Sequence, residues 1–511
     1  METIKGKSTK VMLVILDGFG INPDDYKNAI KHAKTPHLDH LFKNYPYTEI
    51  VSSGIAVGLP KGVIGNSEVG HLNIGAGRPV TQDFVKINQA IEKNELKSME
   101  KMQELIKMAK KGSKKIHLMG LLSDGGVHSH IEHIKKIIEI LSAEPDLKIY
   151  FHAFMDGRDT ARDSGVTYVE DLLQTKGFIF ASMQGRSIGM DRDRRWEKTQ
   201  RAYQLFIGEG HTQNINPAEY ISSEYKKEIY DEFITPILFT KEGKIEKNDC
   251  VFFINFRPDR AIQLTLAFTD PKFNYFKTPI RPAYYLCMSP YVQGEVDLPI
   301  LFDKEVLPNG LGQYLSDQGK KQFRIAETEK FAHVTFFFNG GRKEPFKNEQ
   351  RILIPSPKDV ATYDQKPEMS AYEVCNTLLE KLDDSSFDFY LVNFANCDMV
   401  GHTGNYQATI KAVETVDTCV GKLMDQCLKN NVSMILTADH GNSDQMVYED
   451  GSPHTSHTGS PVPFVFFSPT FKNKKVEIRA GELALKDIAP TILYTLGMEC
   501  PAGFSGQSIF K

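Results

Sequence analysis

The strongest constraint in this chain is a recurring pattern: a short, almost unbroken apolar run that stops at a loop rich in Gly, Asp and His. Lys10 to Leu16 (KVMLVIL) stops at Asp17-Gly-Phe-Gly, and Lys115 to Leu122 stops at Ser123-Asp-Gly-Gly-Val-His128. Lys148 to Phe154 runs into Met155-Asp-Gly-Arg-Asp159, Phe387 to Phe394 into Asn396-Cys-Asp-Met-Val-Gly-His402, and Val432 to Leu436 into Thr437-Ala-Asp-His440. Runs of this length, rich in Val, Ile and Leu, suit parallel strands buried on both faces. Helix-like stretches lie between them (Glu92 to Lys111, His130 to Leu141, Tyr406 to Asn430), so the predicted class is α/β. In such sheets ligands gather beyond the carboxyl ends of the strands, where these polar loops fall.

The loops come in two kinds. Those near both ends of the chain carry Asp and His, while those between Thr81 and Leu301 carry Arg. The pattern predicts two α/β domains. A discontinuous metal-binding domain spans 1–80 plus 304–511, and a second domain, 81–303, is inserted into it. The 511 residues are 41% hydrophobic and 25% charged, enough apolar material for more than one core. The net charge is -4 with no basic stripe, which argues against a nucleic-acid partner and leaves anionic substrates to locally placed cations. There is no apolar run of about 18 residues and the first ten residues are polar, so neither a membrane partner nor a secretory leader is expected. The expected location is cytoplasmic. Seven scattered cysteines, with no CxxC pair, favour neither a disulfide framework nor a thiolate zinc site.

Asp398 and His402 are spaced by one helical turn or one tight loop, Asp439-His440 follows an apolar run, His457 lies in a later loop, and Asp17 ends the first run. Mixed carboxylate and imidazole donors suit Mn²⁺ or Zn²⁺, and carboxylate-heavy sets accept Mg²⁺. Each fragment alone is more often a cap, turn or surface pair than a ligand set. Their coincidence at three strand ends favours metal. The segment Gly65-Asn-Ser67-Glu-Val-Gly-His71-Leu-Asn-Ile-Gly-Ala-Gly77 places Ser67 at the start of a short helix, where backbone N–H groups favour a phosphate. Ser67 reads there either as a helix cap or as a nucleophile that a nearby metal would activate.

With these residues in view, the chain resembles the cofactor-independent phosphoglycerate mutases of the alkaline phosphatase superfamily, from about Val11 to the C-terminus. The likeness is dense at Asp17-Gly-Phe-Gly, Gly65 to Arg78, Asp156-Gly-Arg-Asp159, Met190 to Trp196, Asn255 to Arg260 and Glu327-Thr-Glu-Lys330. It continues at Asp398 to Gly404, Ala438 to Asn442 and His454 to Thr458. The resemblance implies that Asp398, His402 and His457 hold one divalent ion, and Asp17, Ser67, Asp439 and His440 a second. Mn²⁺ is the first expectation, with Mg²⁺, Co²⁺ or Zn²⁺ as alternatives, and no 2,3-bisphosphoglycerate is required. It further implies that His128, Arg158, Asp159, Arg186, Arg192, Arg257 and Arg260 contact a phosphoglycerate. Lys330 would meet the phosphoryl group, Asp159 would serve as general acid and base, and the enzyme would be a monomer. Cys397, where proline is usual, and Gly459-Ser460, where a more polar pair is common, are peripheral departures. Water exclusion during transfer predicts domain closure, with hinges near 78–82 and 300–306. The competing readings are a phosphomonoesterase, a phosphopentomutase, and a metal-dependent sensor that has lost catalysis.

Overall fold

The computed structural model describes residues 4–6, 8–292, 294–303, 307, 309–384, 386–469, 471, 474 and 476–511. Among these the strands are β1 (Val11–Leu16), β2 (Tyr47–Ile50), β3 (Lys115–Leu122), β4 (Lys148–Met155), β5 (Ile179–Gly185), β6 (Ile237–Leu238) and β7 (Cys250–Phe253). The chain continues with β8 (Tyr284–Cys287), β9 (Gln322–Glu327), β10 (Glu349–Ile354), β11 (Phe389–Phe394), β12 (Ser433–Thr437) and β13 (Val462–Phe467). They fall into two compact units, Met1–Gln82 with Val306–Lys511, and Asp83–Glu305. The second expected boundary and hinge runs into residues 304–306, which lie outside the described residues.

The first unit holds a seven-stranded sheet in the order β10-β9-β11-β1-β12-β13-β2. β10, β9, β11, β1 and β12 are parallel, and β13 and β2 continue the sheet antiparallel. Strand β1 (VMLVIL) is buried at every position because both of its faces are covered. Its apolar side chains join one core with the helix Ala371–Asp384 and the long helix Tyr406–Asn430. The residues after β1, β9, β11 and β12 therefore leave one edge of the sheet together. Because β13 runs antiparallel, the loop preceding it, which carries His457, reaches that same edge.

The second unit holds a six-stranded sheet in the order β6-β5-β4-β3-β7-β8, parallel except for the short edge strand β6. Alternation along β3 sends Leu118 to one apolar core and Met119 to another on the opposite face. The loops after β3, β4, β5 and β7 share the carboxyl edge.

The strand expectations hold to within a residue or two. One helix differs. Glu92 to Lys111 is not continuous, because Asp83–Glu92 ends before Asn94, whose φ of 56° is left-handed, and a new helix runs over Glu100–Lys111. Asparagine tolerates that conformation better than most residues and so ends a helix without a glycine.

Candidate metal and phosphoryl-transfer site

In the first unit, Ser67 is the first residue of the helix Ser67–Ala76, and the cap is Asn66, whose side chain accepts from the Val69 N–H. The Ser67 hydroxyl is therefore released from capping. It lies 3.2 Å from Asp17 Oδ1, 3.0 Å from His440 Nε2 and 2.7 Å from Lys330 Nζ, in surroundings that leave it buried. Asp17 comes from the end of β1, His440 and Asp439 from the end of β12, and Lys330 from the helix Thr328–Ala332 that follows β9. Gly18 permits this crowding. Its φ is 78°, and a Cβ there would lie 2.7 Å from the Asp398 backbone. Lys330 also donates to Asp17 Oδ1 at 2.7 Å and to Asp398 Oδ2 at 2.6 Å.

Asp398 lies on the short helix Asn396–Gly401, one turn before His402. Its Oδ1 is 3.1 Å from His402 Nε2 and 3.2 Å from His457 Nε2, and the two Nε2 atoms are 3.1 Å apart. Two imidazole nitrogens that close need a shared proton or a shared cation. Bonds of about 2.0–2.1 Å at tetrahedral angles set ligand atoms about 3.3 Å apart, which matches these separations. The ring tautomers agree. Backbone carbonyls accept from Nδ1–H in all three histidines: Thr455 for His402 at 2.7 Å, Gly65 for His457 at 3.1 Å and Gly441 for His440 at 3.1 Å. Each Nε2 lone pair is thereby left to point inward, the arrangement a ligating histidine needs.

The charge balance also fits cations. Asp17, Asp398 and Asp439 face one ammonium, Lys330. Burial lowers the Lys330 pKa, but Asp17, Asp398 and Asp439 outweigh it and raise the value. Burial lowers His402 and His440 as well, yet Asp398 raises the first, and Asp439 with Asp398 raises the second. Asp17 moves up through burial and the nearby Asp439, whereas Asp398 is held far below the carboxylate range because Lys330, His402 and His457 overcome its burial. Buried Asp439 Oδ2 has no hydrogen-bond partner. The cluster thus draws in positive charge, and its donors fit divalent ions. Asp398, His440 and His457 form one compact donor group, and Asp17 and Asp439, with His71 close beside them, a second. His440, expected with Asp17, Ser67 and Asp439, is within reach of both sets: its Nε2 is 3.5 Å from Asp17 Oδ1, and its ring stacks on His457 at 3.8 Å.

In the second unit the expected residues gather at the carboxyl edge of its sheet. Arg186 is buried and donates from Nη1 to Asp156 Oδ1 at 2.6 Å and to Asp159 Oδ2 at 2.5 Å. Arg192 donates to Asp259 Oδ2 at 2.8 Å, and Arg257 Nε lies 3.3 Å from Asp259 Oδ1. Arg260 donates to the Met190 carbonyl at 3.0 Å, and Arg158 sits 3.6 Å from Glu232. His128 stands between Asp159 and Asp259, at 3.9 and 3.7 Å. Its pKa is pushed down by burial first and by Arg186 second, against the two aspartates, so the ring is neutral near pH 7. Buried His128 Nδ1, Arg186 Nε and Asp259 Oδ1 make no hydrogen bond, which leaves polar atoms for a ligand to satisfy.

Several contributors escaped the sequence reading. Asp156 takes N–H bonds from Arg158 and Asp159 and a hydroxyl bond from Ser123 as well as Arg186, and Asp259 joins Arg192 to Arg257. Asn442 donates to Asp398 Oδ1 at 2.9 Å, and Asn393 donates to Asp17 Oδ2 at 2.8 Å. Asp156 and Asp259 stand inside motifs already singled out. Asn393 carried a weaker signal, as a polar residue within the apolar run of β11.

A family model described as Metalloenzyme superfamily matches residues 9–500, which sets the class to which this fold and donor set belong. The chain is 48% identical, over 98% of its length and 99% of the relative's, to a 2,3-bisphosphoglycerate-independent phosphoglycerate mutase of Clostridium novyi (strain NT). It is 46% identical to the protein of that description from Parabacteroides distasonis, over 99% of this chain and 100% of the relative. A solved Leishmania mexicana phosphoglycerate mutase, studied at low cobalt concentration, superposes with a TM-score of 0.75 at 33% identity, covering 99% of this chain and 98% of that one. The chain belongs to the 2,3-bisphosphoglycerate-independent phosphoglycerate mutase family.

Proposed function

We propose that the protein interconverts 3-phosphoglycerate and 2-phosphoglycerate through a phosphoserine at Ser67, with two divalent metal ions and without 2,3-bisphosphoglycerate. The observation that carries this reading is the setting of the Ser67 hydroxyl, buried within 3.2 Å of a carboxylate, an imidazole and an ammonium. Asp398, His402 and His457 would hold one ion, and Asp17, Ser67, Asp439 and His440 the other, with Mn²⁺ the first candidate. Such ions, when bound, lower the pKa of the hydroxyl and offset charge on phosphoryl oxygens.

The remaining work falls to side chains. Ser67 Oγ enters and leaves the cycle as the alkoxide; it attacks phosphorus, forming the Oγ–P bond as the bond from phosphorus to the 3-oxygen of glycerate breaks. Lys330 donates toward Oγ, which favours the deprotonated oxygen, and it is placed to follow negative charge onto the phosphoryl group. Glycerate then presents its 2-hydroxyl, and the reverse displacement returns the phosphoryl group and restores Ser67. Asp159 supplies a proton to the departing 3-oxygen and takes one from the attacking 2-hydroxyl. Arg186 holds Asp159 in place. Arg158, Arg192, Arg257 and Arg260 serve the carboxylate and phosphate, for which planar guanidinium groups are suited. Asp259 spaces Arg192 and Arg257, and neutral His128 contributes a hydrogen bond without adding charge.

The test is enolase-coupled turnover of 3-phosphoglycerate without added 2,3-bisphosphoglycerate, with and without chelator. Turnover that chelator and Ser67→Ala both abolish supports the reading. Inorganic phosphate as the main product would replace it with a phosphatase.

A further inference from the structure

Four histidines surround Ser67 and its carboxylates, and one differs from the rest. His402, His440 and His457 each donate Nδ1–H to a backbone carbonyl and turn Nε2 inward, to Asp398 or Ser67. His71, four residues after Ser67 on the same helix and fully buried, also lies with Nδ1 2.8 Å from a backbone carbonyl, that of Ser67 itself. Its Nε2 is engaged elsewhere, 3.0 Å from the side-chain amide of Asn393.

The orientation of that amide follows from its other partner. Asn393 Nδ2 is 2.8 Å from Asp17 Oδ2, and an ionised carboxylate only accepts. The second hydrogen of the same Nδ2 therefore faces His71 Nε2, which must accept, and the ring proton must sit on Nδ1. Nδ1–H meets the Ser67 carbonyl and lies 3.3 Å from Asp439 Oδ2, the oxygen with no hydrogen-bond partner of its own. One relay thus runs from Asp17 through Asn393 and His71 to Ser67 and Asp439, joining the ends of β1 and β12 to the nucleophile's helix. The approach is close: a Cβ on Gly70 would lie 2.7 Å from Asp439 Cβ.

We propose that His71 is a positioning residue and not a metal ligand: with Asn393 it fixes the outer oxygen of Asp17, the first turn of the Ser67 helix and Oδ2 of Asp439. Both ring nitrogens are already committed, so neither lone pair is available to a cation. The inference rests on the reading of Ser67 as nucleophile and of Asp17 and Asp439 as ligands. Partners behind ligating groups typically cost about 10–100-fold in metal affinity or activity when removed.

The test uses the whole chain in two ways. In wild-type protein labelled with ¹⁵N-histidine, with the His71 signal assigned by its loss in His71→Asn, the ring should show the Nδ1–H tautomer at neutral pH. By calorimetric titration with Mn²⁺, His71→Leu and Asn393→Leu should each bind about 10–100-fold more weakly, and kcat should fall while KM for 3-phosphoglycerate changes by about twofold or less. His71→Asn, which keeps a donor near the Nδ1 position, should recover part of the loss. An Nε2–H tautomer, or His71→Leu with wild-type Mn²⁺ affinity and kcat, would overturn the proposal. Should the leucine variants fail to fold, the wild-type tautomer still decides. A wild-type enzyme without mutase activity would remove the functional reading instead, leaving tautomer and metal affinity to judge this one.

Discussion

The two units present polar clusters of opposite charge balance; the first is mostly buried, although His402 keeps 37% of its side-chain surface in solvent, and the second is more open, although Arg186 is buried. In the first, three carboxylates and three imidazoles crowd around one ammonium, and Asp17, Asp439 and His440 are fully buried. In the second, Arg186, Arg192 and Arg257 stand on aspartates and Arg158 beside Glu232, and Arg158, Arg192 and Arg257 keep about half of their side-chain surface in solvent, at 57, 46 and 48%. Buried donors with fixed tautomers suit an atom that stays, such as an ion or a nucleophile. Half-exposed guanidinium groups on short acidic tethers suit a ligand that comes and goes. On the proposed function, the first cluster would carry out phosphoryl transfer and the second would hold the group that accepts it.

The largest expected effect belongs to the first cluster. Ser67→Ala should lower turnover by on the order of 10⁴-fold or more, measured in the coupled assay, with KM for 3-phosphoglycerate little altered. In the second cluster, Arg257→Ala or Arg192→Ala removes a charge-assisted contact worth about 1.5–3 kcal/mol, so KM should rise roughly 10–100-fold. An equal loss in kcat with unchanged KM at these arginines would erase the distinction between the clusters.

Acid sensitivity sharpens the same contrast. Asp398 and Asp439 raise His402 and His440 above the ordinary histidine value, so these rings take up protons early as pH falls, and a protonated ring has no lone pair to ligate with. At a fixed subsaturating metal concentration, activity should therefore fall as pH drops through the histidine range, by about tenfold per unit for each ring that takes up a proton. His128, held neutral by burial and Arg186, should not contribute. Changing it to Gln should leave the acid limb where it is, whereas a limb that moved would assign the titration to the second cluster.

The last effect concerns stability. Glu327 is buried, and its pKa is raised to about 7 chiefly by that burial, with Ser356 donating to it at 2.8 Å. A raised folded value means its contribution is complete below the unfolded value of 4.5 and is lost as pH climbs through 7. Glu327→Gln should therefore gain about 3 kcal/mol relative to wild type between pH 5 and 8.5, followed by denaturant unfolding.

The parallel strands and their loops were legible because a strand covered on both faces is written as an unbroken apolar run. The edge strands were less so: β2 (YTEI) is half exposed and β6 has two residues, too short to show a period. At the site, Asp17, Asp398 and His440 stood out as polar residues directly after apolar runs. Asn393 and His71 act through second contacts that join chain segments more than 300 residues apart, and no local spacing encodes that. Asn66 rather than Ser67 as the helix cap was hidden for a simpler reason, since both residue types cap equally well.

The central claim is that the phosphoryl group passes through Ser67. The most direct measurement is turnover of ³²P-labelled 3-phosphoglycerate by the Mn²⁺-loaded protein, quenched in acid and mapped by peptide. The expected result is label on the peptide that contains Ser67. Label on another residue, or full turnover with the protein unlabelled, would contradict it.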